Sequence, residues 1–364
     1  MKITALESIA LDIPFNHGGS SKALGGQEWN VFSTVLVRVE TDEGITGYGD
    51  AFAYHCRHAV QAVLEKMIAP MAIGRDVGDI AGLNFDLQKA MHLFGRYGVN
   101  IFALSGLDIA LWDIVGKAAG LPLHRLLGGA VRDRIEGYAS LFRYHDPGAV
   151  AERCQAAVAD GFRHIKLHET AEPEVRAARK AIGPEIPLMV DTNCPWTPAQ
   201  ARQAAATFKP YDIFWLEEPI FPPEDYPELA KLRRDSGVPI AAGENACTSF
   251  DFRNMFAAGA VDYAQPSVTK VGGITEFRKI ATLAEANGVT IMPHSPYFGP
   301  GFLATLHLMA AQAADGLVER FYLSPKATLY GDLIEPANGA FRVPQGPGLG
   351  ADPDMTVIKQ FRVN

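Results

Sequence analysis

The first 50 residues carry a strand pattern. Ile3, Ala5, Ser8 and Ala10 sit among apolar neighbours, and Ser33–Glu40 (STVLVRVE) alternates apolar and polar with period two before a turn at Thr41–Gly44. From residue 57 to 119 the period lengthens to that of a helix. It is strongest over Leu104–Lys117 and stops at Gly120, with Pro122 beyond. Strands followed by helices predict a small α+β domain. From about residue 135 short apolar runs alternate with amphipathic stretches. The runs begin near Gly137, His164, Pro187, Asp212, Pro239, Val261, Val289 and Leu317. Eight such units imply a parallel sheet closed into a (β/α)8 barrel. The expected division is an α+β domain over 1–125, a barrel over 126–324, and a Pro- and Gly-rich segment, 325–364, that packs back on the first domain.

Charge and cysteine content narrow the function classes. Lys and Arg number 33 against 41 Asp and Glu, a net charge of −8, which argues against a nucleic-acid partner. No run of 18 apolar residues and no lipidation motif suggest a membrane role, and the opening MKITALESIALDIPF does not read as a signal peptide. Cys56, Cys154, Cys194 and Cys247 are far apart with no CxxC, so neither a disulfide framework nor a zinc site is expected, and a reducing cytoplasm fits.

In a barrel of this kind function gathers where strands end. The runs end in Lys166-Leu-His168, Asp191-Thr-Asn193, Glu217-Glu218-Pro219, Glu244-Asn245, His294 and Glu319. Taken singly, each acid reads equally well as a loop residue or a helix N-cap. Together, Asp191, Glu217 and Glu244 come from three consecutive strand ends and would converge, at a cost that a bound cation removes. Oxygen ligation without Cys or His points to Mg2+, with Mn2+ possible. Lys166 and His168 are two apart on one strand and face the same side. A Lys beside a metal can act as a base, and a His titrates near neutrality, although Lys166 reads equally as a partner for a carboxylate. His294 ends the run almost opposite. Glu319 is expected either at a substrate carboxylate or in a surface ion pair, and His55 and His58 are expected to face solvent.

These motifs resemble the enolase superfamily, and within it the mandelate racemase subgroup. TDEGITGYGDAF and ALSGLDIALWDIVGKAAGLPLHRLLGG look like its capping segments. VDTN, WLEEP, GEN and VGGITE follow in the expected order, and VPQGPGLG resembles its ending. The resemblance implies a modified (β/α)8 TIM barrel of (β/α)7β type with an α+β cap, and a homo-oligomer. It also implies Mg2+-assisted removal of the proton α to a carboxylate of a small-molecule substrate, giving an enediolate. Asp191, Glu217 and Glu244 match the metal ligands. Loops around 15–31 and 50–58, with His17, Trp29 and Tyr54, would cover the substrate, and Asn193 and Glu319 would contact it. Two positions depart from the pattern. His168 stands where the subgroup usually has the second Lys of Lys-x-Lys, and Ser267 stands where an Asp usually pairs with the seventh-strand His. His168 as base and His294 as acid would dehydrate an aldonate or aldarate to a 2-keto-3-deoxy acid. Racemisation or epimerisation, lactone cycloisomerisation, an inert metal- and carboxylate-binding barrel, and a Schiff-base aldolase on Lys166 are the competing readings.

Overall fold

The computed structural model describes residues 1–19 and 29–363. Its first unit is an antiparallel sheet. Strand β1 (Ile3–Asn16) pairs with β2 (Val31–Thr41), which pairs with β3 (Thr46–Ala51). Helix α1 (Arg57–Val63), a π-helical turn over Leu64–Ile68, α2 (Ala69–Ala72), α3 (Ile80–Ala90) and α4 (Val99–Ala119) cover one face. Helix α4 is long and apolar enough to cross a membrane by length and composition. Here most of that apolar stretch is buried as the core helix of the cap. It lies unusually close to β3 because Gly47 and Gly49 have no side chain to hold it off. A Cβ on Gly49 would fall 1.8 Å from the carbonyl oxygen of Gly106 on α4. Helix α4 ends on Gly120 in the left-handed conformation, which glycine adopts at little cost.

After the short α5 (Leu123–Leu126), eight parallel strands curl into the modified TIM barrel. In chain order they are β4 (Arg134–Ser140), β5 (Ile165–Leu167), β6 (Leu188–Asp191), β7 (Ile213–Glu217), β8 (Ile240–Ala242), β9 (Tyr263–Ala264), β10 (Thr290–Ile291) and β11 (Val318–Phe321). Helices α6 (Pro147–Ala159), α7 (Glu172–Ile182), α8 (Pro198–Phe208), α9 (Tyr226–Ser236), α10 (Thr248–Ala257), α11 (Gly273–Ala286) and α12 (Pro300–Ala310) each follow one of the first seven strands. β11 runs instead into β12 (Ser324–Pro325), which pairs with β1 of the cap. Seven βα units and a final strand result.

The strands are shorter than the apolar runs, because the polar residues that end each run leave the ladder and enter the mouth. Among the described residues no backbone ladder joins β10 to β11. Ser295 bridges them instead: its Oγ accepts from the Glu319 amide at 2.9 Å and donates to the Glu319 carbonyl at 3.2 Å. The final segment does not stay with the cap alone. β13 (Ala340–Arg342) pairs antiparallel with barrel strand β4, and α13 (Met355–Phe361) returns to β1.

Candidate active site

Period-two alternation builds the site in two tiers. Tyr138, Met189, Trp215, Ala241, Met292 and Leu317 form an apolar floor inside the barrel. Two residues further along their strands, hence on the same side, come Ser140, Asp191, Glu217 and Glu319. Register places Asp191 beside Glu217 and Lys166 beside Ser140. The floor also serves the tier above it, since the Trp215 indole N–H donates to Glu217 at 2.9 Å.

Lys166 is fully buried at the centre of this tier. Its Nζ lies 3.1 Å from Asp191, 2.9 Å from Glu217 and 2.9 Å from Glu319. Burial alone would lower its proton affinity, but Glu217, Glu319, Tyr138 and Asp191 outweigh burial and hold the ammonium well above its ordinary value. Lys166 is therefore a counter-charge here, and an ammonium so held is no amine for a Schiff base. The same geometry removes the surface reading of Glu319, which is buried and also accepts from Ser140 at 2.7 Å.

Two histidines bracket the acids. His168 Nε2 lies 3.2 Å from Asp191, and its Nδ1 lies 2.6 Å from the Leu141 carbonyl. His294 Nε2 lies 2.9 Å from Glu244. Asp191, Glu217 and Glu244 each offer an oxygen, and these oxygens lie within 4.8 Å of one another. Burial raises the Glu244 carboxyl, but His294 and Lys270 overcome it and hold it at about 2. Burial and then Asp191 push Glu217 well above the carboxylate range, against the pull of Lys166. Four carboxylates, Asp191, Glu217, Glu244 and Glu319, thus crowd one buried lysine and two histidines at the barrel mouth. The three convergent oxygens of Asp191, Glu217 and Glu244 could hold a divalent cation, and hard oxygen donors suit Mg2+.

A wall from the cap closes one side. Trp29 meets Tyr54, Phe142 and Phe321 with ring centroids 5.1, 5.3 and 5.9 Å apart, and Phe321 reaches His168 at 6.0 Å. His17 stacks on Phe142 at 4.4 Å. The part of the 15–31 loop between residues 20 and 28 lies outside the described residues. Asn193, half-buried, follows Asp191 and donates its backbone N–H to it at 3.0 Å. His55 and His58 are exposed.

Two residues escaped the sequence reading. Arg143, in the loop after β4, donates to the His168 carbonyl and to Asn193 Oδ1 at 3.2 Å, which places a guanidinium at the mouth. Tyr297 lies 3.1 Å from His294 Nδ1. Both sit in loops, where no period marks them. The sole signal for Tyr297 was its position three residues after His294.

Comparison with known proteins fits this geometry. The family profile for the mandelate racemase / muconate lactonizing enzyme N-terminal domain matches residues 27–128, and that for the enolase C-terminal domain-like unit matches residues 149–357. The chain belongs to the mandelate racemase/muconate lactonizing enzyme family of the enolase superfamily. Within that family it is similar to a D-galactarolactone cycloisomerase of Agrobacterium fabrum, 31% identical over 100% of this chain and 99% of the relative. It is also similar to an arabinonate dehydratase of Saccharolobus solfataricus, 33% identical over 93% of each. A racemase structure from Streptomyces coelicolor with bound magnesium superimposes with a TM-score of 0.88, at 30% identity, covering 99% of this chain and 100% of that one. Superfamily members use Mg2+, and the Asp191–Glu217–Glu244 triad is where this chain offers it ligands. The family's chemistry acts on small molecules.

Proposed function

We propose that this enzyme dehydrates an acid sugar, an aldonate or aldarate, to a 2-keto-3-deoxy acid. The observation that carries the reading is the pair of imidazoles on either side of the acidic triad, His168 on Asp191 and His294 on Glu244. Mg2+ held by Asp191, Glu217 and Glu244 would supply positive charge for the substrate carboxylate as the α-proton leaves. A carbonyl only accepts, so His168 must donate Nδ1–H to Leu141. That leaves Nε2, which faces the triad at Asp191 3.2 Å away, as the ring atom that takes the α-proton. His294 gives a proton to the departing β-hydroxyl, which leaves as water, and the resulting enol tautomerises to the ketone. Lys166 balances the buried acids. Arg143 and Asn193 would bind substrate oxygens at the rim, with Glu319, Tyr54, His17 and Trp29 completing the pocket. The functional division is a cap over 1–125, a barrel over 126–324 and a tail over 325–364.

A second reading, cycloisomerisation of a lactone or anhydro-sugar acid, is favoured by the cap wall. Trp29 spends its N–H on the Val31 carbonyl at 2.9 Å, and Tyr54 spends its hydroxyl on Pro296 at 2.9 Å. These rings thus offer carbon faces rather than donors, which suits a ring better than an open polyol. Free thiols at all four cysteines suit a cytoplasmic setting, and exposed Phe85, Leu93 and Phe94 on the cap support self-association.

Proton NMR in D2O with Mg2+ and pools of aldonates, aldarates and lactones separates the outcomes, with EDTA as the control. A deoxy-keto acid supports dehydration, and a shifted lactone supports cycloisomerisation. Loss of no α-proton from any pool, with Mg2+ bound, would leave an inert binding barrel. His294→Asn should abolish dehydration, and full turnover in that variant would remove His294 from the mechanism.

A further inference from the structure

Lys270, a buried charge that the reaction scheme leaves unused, stands between cap and barrel. It lies in the loop between β9 and α11 and is 5% exposed. Its Nζ sits 4.7 Å from the centre of the Phe52 ring and 5.9 Å from that of Phe102. Both rings belong to the cap: Phe52 follows β3, and Phe102 lies on α4. They meet edge to face at 5.1 Å, and Phe52 packs on Tyr54 at 4.5 Å. The main chain makes the same connection one residue earlier, where the Phe52 N–H donates to the Thr269 carbonyl at 3.4 Å.

On its other side Lys270 reaches the mouth. Nζ donates to Asn245 Oδ1 at 3.4 Å, and Asn245 Nδ2 donates to Glu218 Oε2 at 2.7 Å. The Cys194 thiol donates to the same oxygen at 3.3 Å. Asn245 follows Glu244 and Glu218 follows Glu217, so this chain of bonds is built on the neighbours of two triad acids. A methionine would fill the same space without the cost of taking an ammonium out of water. What the charge adds is attachment: ring faces carry the negative side of the aromatic quadrupole, and a desolvated cation holds them.

We propose that Lys270 is the positioning residue of the substrate wall, a cationic clamp that pins the cap segment Phe52–Tyr54 to the rim of the barrel. Tyr54 is then fixed twice, by the Phe52 ring and by its hydroxyl bond to the Pro296 carbonyl in the loop that follows His294. The clamp sets how far the Trp29–Tyr54 wall stands from the Asp191–Glu217–Glu244 triad. Its meaning for a substrate rests on the proposed reaction, whereas the clamp itself does not.

The test is amide hydrogen exchange on the whole chain, with and without Mg2+, in wild type, Lys270→Met and Lys270→Arg. The Phe52 amide, bonded to Thr269, is the reporter. Lys270→Met keeps the bulk of the stem and removes the charge. It should speed exchange at Phe52 about tenfold, the worth of a desolvated cation over a ring, and leave β6 and β7 at the wild-type rate. Lys270→Arg, a cation that also stacks on rings, should restore most of the protection. On an acid sugar that loses its α-proton in D2O, Lys270→Met should raise KM more than it lowers kcat. Wild-type exchange at Phe52 in Lys270→Met would overturn the clamp. So would equal acceleration in β6 and β7, or protection no better in Lys270→Arg than in Lys270→Met. If no acid sugar reacts, the dehydratase reading fails alone, and the exchange rates still decide the clamp.

Discussion

The buried histidine pair beneath the barrel makes the enzyme acid-sensitive by a calculable amount. His307 on α12 is fully buried against His124, with the Nδ1 atoms 3.1 Å apart and the rings stacked at 5.3 Å. The His124 backbone N–H points at His307 Nδ1 at 3.3 Å, so that nitrogen serves as an acceptor. Protonating it would set a donor against donors in a dry site. Burial accordingly lowers His307 from 6.5 to about 3. A histidine depressed in the folded state binds fewer protons than in the unfolded chain. The stability it lends is complete above pH 6.5 and falls as pH drops from there toward 3. At about 1.4 kcal/mol for each pH unit inside that window, wild type should lose roughly 2 kcal/mol between pH 7.5 and pH 5 through this site alone. His307→Leu removes the titration and leaves an offset that does not depend on pH. Urea unfolding of both proteins at pH 7.5, 6.5, 5.5 and 5 gives the difference curve, in which contributions common to both cancel. Parallel stability curves over that range would refute the reasoning.

Lys166→Met strands Asp191, Glu217 and Glu319 without their cation and should cost on the order of 3–5 kcal/mol in metal-free protein. Mg2+ should restore part of this, so equal melting-temperature losses with and without Mg2+ would count against the charge-balance argument. His168→Gln should slow α-proton exchange by about 10^2–10^4-fold while Mg2+ still raises the melting temperature, and exchange at the wild-type rate would exclude His168 as the base. Gly49→Ala should lower stability by about 1–3 kcal/mol, because α4 must move off β3, and an unchanged melting temperature would contradict the close approach.

The barrel was legible because its period is long and its runs are strongly apolar, and the triad was legible because strand ends converge whatever the loops do. The sequence could not show that Lys166 gathers three carboxylates from three strands, since such a contact depends on register and depth rather than spacing. Nor could it show that the tail splits between cap and barrel. β13 is three residues long, and its pairing with β4 is fixed by position, not pattern. Arg143 and Tyr297 act from loops, where side-chain direction follows backbone turns that carry no periodic trace. Ser267 was noticed as a missing carboxylate, but its consequence appeared only when the space it leaves proved to hold a tyrosine hydroxyl.

The Ser295 bridge makes the ring elastically uneven. Among the described residues seven of its joints are fastened by backbone ladders, and the eighth, between β10 and β11, by side chains, the Ser295 hydroxyl on Glu319 and the Met292 sulfur that accepts from the Leu317 N–H. That joint lies between His294 and Glu319, at the lip of the mouth. Substitutions at Ser295 and Met292 alter this joint without breaking a backbone ladder. The rim beside His294 and Glu319 is therefore held by side-chain chemistry, where the rest of the ring is held by main chain.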